Sequence, residues 1–281
     1  MNTHTLPTDL SDVVARALAE DVGTGDLTAV LIPAAAQARA HIIVREPGVF
    51  CGAAWAEAAF HQVEPRIQVD WSASDGDAVA NGTTLCTLEG PSRGILTAER
   101  TALNFLQTLS GTATRARRYA EAVQGTGATV IDTRKTLPGL RSAQKYAVAV
   151  GGCGNHRMGL YDFILVKENH IAAAGGVKEV LTATREQNAG VPVEIEVETL
   201  AQLQEALEAG AKRVLLDNFD LDGLRKAVYV TAGRAKLEAS GNVDFDGLRS
   251  IAETGVDYIS VGALTKHVKA LDLSLRFLGG P

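Results

Sequence analysis

The chain has 281 residues, 46% of them hydrophobic and 21% charged, with a formal net charge of −6. That composition excludes a disordered or fibrous chain and leaves room for one large α/β domain beside a smaller one. The negative charge argues against a broad nucleic-acid surface, and no apolar run is long enough to span a bilayer. The first residues, MNTHTLPTDLSDVVA, lack the basic start and apolar run of a signal peptide, so the expected location is the cytoplasm.

In chain order, DLSDVVARALAED has helical periodicity, ARAHIIV and RIQVDW read as strands, and AAWAEAAFHQV between them reads as a helix. DGD, NGT and EGPSRG punctuate residues 75–94 with turn residues, completing a small α+β domain. From Thr97 the run TAERTALNFLQTLSGTATRARRYAEAV is a long amphipathic helix, with Gly111 as a break or a close-packing point. Beyond it ATVID, DFILV, PVEIEV, KRVLLD, AKLEAS and VDYISV alternate with helical stretches such as GVKEVLTATREQ and LAQLQEALEAG. Such alternation predicts βα units and parallel strands, in a barrel or a doubly wound sheet. The polar residues favour the barrel. Asp132, Lys167, Glu196, Asp217, Glu238 and Ser240 all fall at or just past predicted strand ends, the rim where β/α barrels build their sites.

Charge is uneven along the chain. Residues 132–170 hold six Arg or Lys against three acids, which makes that segment +3 and leaves −9 for the rest. Arg134, His156 and Arg157 are residue types suited to planar carboxylates, since a guanidinium takes both oxygens at once. Lys167, just after DFILV, is a charge clamp or a Schiff-base amine. His170 reads as structural. In VPVEIEVET the period of two sends Glu194, Glu196 and Glu198 to one face and the valines and isoleucine to the other. Glu196 and Asp217 then face one another as candidate holders of Mg²⁺ on a diphosphate, with helix capping as the plainer reading of Asp217. Ser240, Gly241 and Gly262 read equally as a phosphate cradle or as ordinary strand-to-helix turns. GGCGNHR is not a dinucleotide fingerprint, because Arg157 stands where the third glycine belongs. Cys51, Cys86 and Cys153 are far apart and read as reduced thiols, and Cys153 with His156 makes only half a zinc-site spacing.

AERTALN, DTRKTLPGLR, KYAVAVGGCGNHRMGLYDFILVKENH, EIEVE, LLDN, LEASGNV and DYISVGALTK, in this order, cover nearly the whole chain. They resemble the quinolinate phosphoribosyltransferase family, a type II phosphoribosyltransferase family. The resemblance implies an N-terminal α/β sandwich domain at 1–110, completed by 271–281, and a C-terminal incomplete β/α barrel at 111–270. It implies a homodimer whose sites combine both chains, acting on small molecules and on neither nucleic acid nor membrane. Quinolinate would be bound by Arg134, His156, Arg157 and Lys167, with Arg100 reaching in from the partner subunit. Lys135 would lie between the two substrates. Glu196 and Asp217 would meet the ribose and Mg²⁺-diphosphate of phosphoribosyl pyrophosphate, with the ion held directly or indirectly, and Ser240, Gly241 and Gly262 would cradle phosphate. Lys135 and Lys167 would also face that second substrate. Glu194 and Glu198 receive no role. The implied reaction joins quinolinate to the phosphoribosyl group with loss of carbon dioxide, giving nicotinate mononucleotide and pyrophosphate in de novo NAD biosynthesis. Rival readings are a barrel aldolase or lyase using Lys167, and a molybdenum-associated relative that binds carboxylates without catalysis.

Overall fold

The computed structural model describes residues 5–187 and 190–278, so the outermost ends of the expected N-terminal domain fall outside the described residues. The chain divides into two compact units. One takes in residues up to 117, residues 136–152 and residues from 264; the other comprises 118–135 and 153–263.

The first unit is built on α1 (Leu10–Val22), β1 (Gln37–Val44), β2 (Gly48–Val49), α2 (Ala53–Val63), β3 (Gln68–Trp71), β4 (Ala78–Val79), β5 (Thr84–Pro91) and α3 (Ser92–Ala122). Along β1 the alternate residues Ala40, Ile42 and Val44 are buried, as a strand with one covered face requires. β1 pairs antiparallel with β5 on one side and with the C-terminal strand Leu273–Phe277 on the other. β5 in turn pairs with β3, and β2 pairs with β4. Trp55, Phe60, Ile95 and Leu106 from the helices fill the same core as Ile42 and Leu88. All three cysteines are buried free thiols.

Helix α3 runs unbroken through Gly111. A Cβ there would overlap the Lys269 carbonyl oxygen, and nearby the Leu271 N–H donates to the Gln107 carbonyl at 2.9 Å. Gly111 is therefore the close-packing point. α4 (Arg141–Val150) buries Ala143, Ala147 and Val150, one helical stripe, in the core of this first unit. For that reason 136–152 belongs with the first unit, although it lies inside the continuous stretch expected to form the barrel.

The second unit contains β6 (Thr129–Ile131), β7 (Ile164–Val166), α5 (Glu168–Ala174), α6 (Val177–Gln187), β8 (Val193–Val197), α7 (Leu200–Glu208), β9 (Arg213–Asp217), α8 (Leu221–Thr231), β10 (Lys236–Ser240), α9 (Leu248–Ala252) and β11 (Tyr258–Ser260). All six predicted strands form. They make one parallel sheet in the order β6-β11-β10-β9-β8-β7. The first strand pairs with the last, as in a barrel, and among the described residues β6 and β7 do not pair. The result is an incomplete β/α barrel, open where the connecting helix α4 has gone to the first unit's core. At that opening Gly154 makes a single parallel bridge to Ile131, with its N–H donated to the Val130 carbonyl at 2.8 Å. The N-terminus of α8 is capped by Asp220, whose carboxylate accepts from the Gly223 N–H at 2.7 Å, so Asp217 is not that cap.

Because a backbone oxygen cannot move aside for a new methyl group, Gly111→Ala is expected to cost about 1–3 kcal/mol. Thermal denaturation followed by circular dichroism would show a lowered midpoint, and an unchanged one would contradict the close approach.

Candidate active site

The geometry starts from the period of two along three neighbouring strands. β8 sends Glu194 and Glu196 to one face, β9 sends Arg213 and Asp217, and β10 sends Glu238 and Ser240. These are the same face of the sheet, because Arg213 joins the three strands: its Nε donates to Glu194 Oε1 at 2.8 Å and its Nη2 to Glu238 Oε2 at 2.5 Å. Asp217 and Ser240 are register partners at the strand ends. Glu238 lies in the middle of β10, not at its end as the sequence pattern suggested.

Both Glu194 and Glu238 are fully buried. The Arg213 guanidinium between them sits over the Tyr258 ring at 4.3 Å and the Phe163 ring at 5.4 Å, where the aromatic faces favour its charge. His156 Nε2 is 3.0 Å from Glu194 Oε2 and 3.6 Å from Glu238 Oε2. Burial, then the neighbouring Glu194, push the Glu238 carboxyl up to about 7, against the pull of His156 and Arg213. Its Oε1 is buried without a hydrogen-bond partner, a place that suits a protonated carboxyl better than a bare charge. His156, Glu194 and Glu238 bring metal-type donor atoms within 4.8 Å of one another. Arg213 already supplies the compensating cation, so this is an ion cluster and not a metal centre.

The loop carrying Asn155, His156 and Arg157 is pinned to the end of β6. Fully buried Asp132 accepts from the Asn155 side-chain amide and from the His156 N–H, each at 2.8 Å. Asp162 closes the following turn by accepting the Met158 and Gly159 N–H groups at 2.8 and 2.9 Å. Burial, and next the positive charge of Arg134, pull the Arg157 guanidinium below its ordinary value. Arg134 Nε is buried and has no hydrogen-bond partner. Two like charges held together, one with an unanswered buried donor, form a site for an anion.

Lys167 follows β7, and its Nζ bonds Glu196 Oε2 at 2.9 Å. The Lys167 N–H donates to His170 Nδ1 at 2.9 Å at the start of α5, so His170 holds that turn, a structural role. Burial raises the Glu196 carboxyl; Lys167 opposes this, while Asp217 and Glu168 reinforce it. Glu196 and Asp217 are thus close enough to repel, and such a pair fits a hard cation that takes its other ligands from phosphate and water. At the ends of β9 and β10 the turns lock together. Gly241 has φ +93°, a Cβ on it would overlap the Asn218 side chain, and the Asn218 N–H donates to the Ser240 carbonyl at 3.0 Å. Gly262, after β11, leaves room for Lys135, whose Cδ would lie 3.0 Å from an added Cβ. Arg100 occupies an exposed position on α3 in the first unit. Arg141 and Lys145, counted in the cationic segment, also belong to the first unit, so that segment is not one cluster within either unit.

Residues 25–110 match the N-terminal domain of quinolinate phosphoribosyl transferase, and residues 112–276 match its C-terminal domain. The chain belongs to the quinolinate phosphoribosyltransferase family. It is 42% identical to quinolinate phosphoribosyltransferase (decarboxylating) 1 of Nicotiana glauca, over 95% of this chain and 82% of that one. It is also 42% identical to a probable nicotinate-nucleotide pyrophosphorylase (carboxylating) of Bacillus subtilis, over 91% and 89%. The solved nicotinate-nucleotide pyrophosphorylase of Francisella tularensis superposes with a TM-score of 0.94 at 44% identity, covering 99% of this chain and 100% of that one.

Two members of the ion cluster carried no role in the sequence reading. They are Arg213, which opens β9, and Glu194 on β8. The available signal was periodicity, since Arg213 shares its face with Asp217 as Glu194 does with Glu196.

The raised Glu238 carboxyl sets a pH dependence. A folded chain that keeps a proton up to about 7, where an ordinary glutamate loses it near 4.5, is favoured at low pH and loses that advantage as pH rises between the two values. In Glu238→Gln this slope disappears. The difference in melting midpoint, variant minus parent, should therefore grow by a few degrees in the variant's favour from about pH 5 to about pH 8. A constant difference would show that Glu238 ionises ordinarily.

Proposed function

We propose that this chain transfers the phosphoribosyl group of phosphoribosyl pyrophosphate to the ring nitrogen of quinolinate, with decarboxylation, as the step of NAD biosynthesis that forms nicotinate mononucleotide. The observation that carries this reading is the Arg134 and Arg157 pair. A dicarboxylate supplies a negative charge for each guanidinium and an acceptor for the buried Arg134 Nε, which a single carboxylate does less well.

With its carboxylates held by Arg134, Arg157 and Lys167, quinolinate presents its nitrogen lone pair to the anomeric carbon. The C–N bond forms as the C–O bond to the diphosphate breaks, and that electron pair leaves on pyrophosphate. Positive charge developing on the ribose is stabilised by Glu196 and Asp217, carboxylates already fixed at the ends of β8 and β9. The same two residues would hold Mg²⁺, which when bound offsets charge on the departing diphosphate. Lys135, seated over Gly262, lies between the substrates, and Ser240 with the backbone N–H groups of Gly241 and Gly262 receives phosphate. The quaternary ring nitrogen then draws in the electron pair of the bond to the 2-carboxylate. Carbon dioxide departs, and C2 takes a proton. Lys167 Nζ is engaged by Glu196, where an aldolase would need it free to attack a carbonyl.

Purified protein with quinolinate, phosphoribosyl pyrophosphate and Mg²⁺ should yield nicotinate mononucleotide, pyrophosphate and carbon dioxide. Nicotinate offered in place of quinolinate should be a poor substrate, and chelation of the metal should stop turnover until Mg²⁺ is returned. No product above background would overturn the reading. Arg134→Ala should raise the KM for quinolinate about tenfold or more while leaving that for phosphoribosyl pyrophosphate within about twofold; equal losses would refute the division of roles. We further propose a homodimer in which Arg100 completes the partner's site, a reading supported by the family resemblance and by its exposed position on α3. Mixing Arg100→Ala with Arg134→Ala subunits would then restore up to about a quarter of the activity, because half the dimers are mixed and each carries one intact site. No recovery would argue against a shared site.

A further inference from the structure

We infer that His156 is a positioning residue and not a carboxylate ligand: anchored by Glu194 and Arg213, it fixes the backbone at Arg157 and so aims that guanidinium at quinolinate.

The bonds around the imidazole decide its tautomer. A backbone N–H can only donate, and the Arg157 N–H lies 2.7 Å from His156 Nδ1, so Nδ1 must offer its lone pair. The ring proton is then on Nε2, which donates to Glu194 Oε2 at 3.0 Å. Both ring nitrogens are committed inside the protein, and the side chain is only 7% exposed. To donate to a substrate carboxylate, Nε2 would have to abandon a fully buried oxygen of Glu194.

What surrounds the ring holds it in that orientation. The His156 N–H is tied to Asp132 at 2.8 Å, and the Phe163 ring lies against the imidazole with centroids 5.2 Å apart. Glu194 is held in turn by Arg213, whose guanidinium rests on Tyr258. A directed series thus runs from Tyr258 through Arg213, Glu194 and His156 to the backbone of Arg157. The cluster reaches neutrality without a charged imidazole when Glu238 keeps its proton, which its raised carboxyl favours. This places His156 apart from Arg134 and Arg157, whose charges face the ligand.

The inference rests on the reading that Arg157 binds quinolinate, and the two are separable. If the parent enzyme does not turn over quinolinate, that reading fails and the inference falls with it. Given turnover, the variants at His156 discriminate. Asn keeps an acceptor near the position of Nδ1, so His156→Asn should leave the quinolinate KM within about threefold of the parent, while His156→Ala raises it about tenfold with the phosphoribosyl pyrophosphate KM within about twofold. A charged ligand would lose equally in both variants, and that result would overturn the proposal. The second readout is ¹⁵N NMR of histidine-labelled parent enzyme, with the His156 signals identified by their loss in His156→Asn. Nδ1 should keep the shift of an unprotonated nitrogen both free and saturated with quinolinate, and its protonation on saturation would overturn the assignment whatever the variants do.

Discussion

Two buried carboxylates, Glu194 and Glu238, share one guanidinium inside the parallel sheet of the second unit, and the strand register is bound to that sharing. Buried charges persist only when paired, so β8, β9 and β10 must present Glu194, Arg213 and Glu238 to one another. A slip of one residue in any of the three would turn its polar side chain toward the apolar face of the strand and leave the others without their partner. The same register carries Glu196, Asp217 and Ser240 to the strand ends. The chemistry at the rim is thus positioned by an electrostatic requirement lower on the same face.

Above that cluster the charges are sorted by sign. Arg134 and Arg157 lie toward the β6 end, Glu196 and Asp217 on β8 and β9, and the Lys167–Glu196 bond joins the two groups. The proposed reaction uses both: anionic groups enter on the cations, and positive charge appears at the ribose near the acids. Neither group is neutralised within itself, as the mutual repulsion of Arg134 with Arg157 and of Glu196 with Asp217 shows. Sites kept in this condition are ready for charged ligands before those ligands arrive.

Much of this was legible in the sequence, and the reason is the period of two. Six apolar runs with acids and a lysine at their ends predicted six parallel strands and a rim, and each strand forms where expected. The helix α3 was legible by its amphipathic stripe, whereas Gly111 read as a break or a close-packing point until the approach of the Lys269 carbonyl decided between them. The unforeseen features depend on which strands become neighbours. Periodicity puts Arg213 on the face of Asp217, but it acquires its role only when β9 lies between β8 and β10. His156 was read from its residue type as a ligand, but the use of each ring nitrogen depends on Glu194, thirty-eight residues away, and on the bend that returns the Arg157 N–H to the ring. The destination of α4 was likewise hidden, since an apolar stripe does not name the core that receives it.

The pairing of β1 with the C-terminal strand bears on how the chain acquires its structure during synthesis. Ala40 lies opposite Phe277, so the first sheet cannot be finished until the strand Leu273–Phe277 has left the ribosome. The second sheet needs nothing past β11 and has all its strands available earlier. Of these two sheets, the one whose first strand is made earlier is therefore completed later. Until then β1 has an unpaired edge in a nascent chain, the kind of exposed strand that chaperones shield and that crowded chains join by mistake.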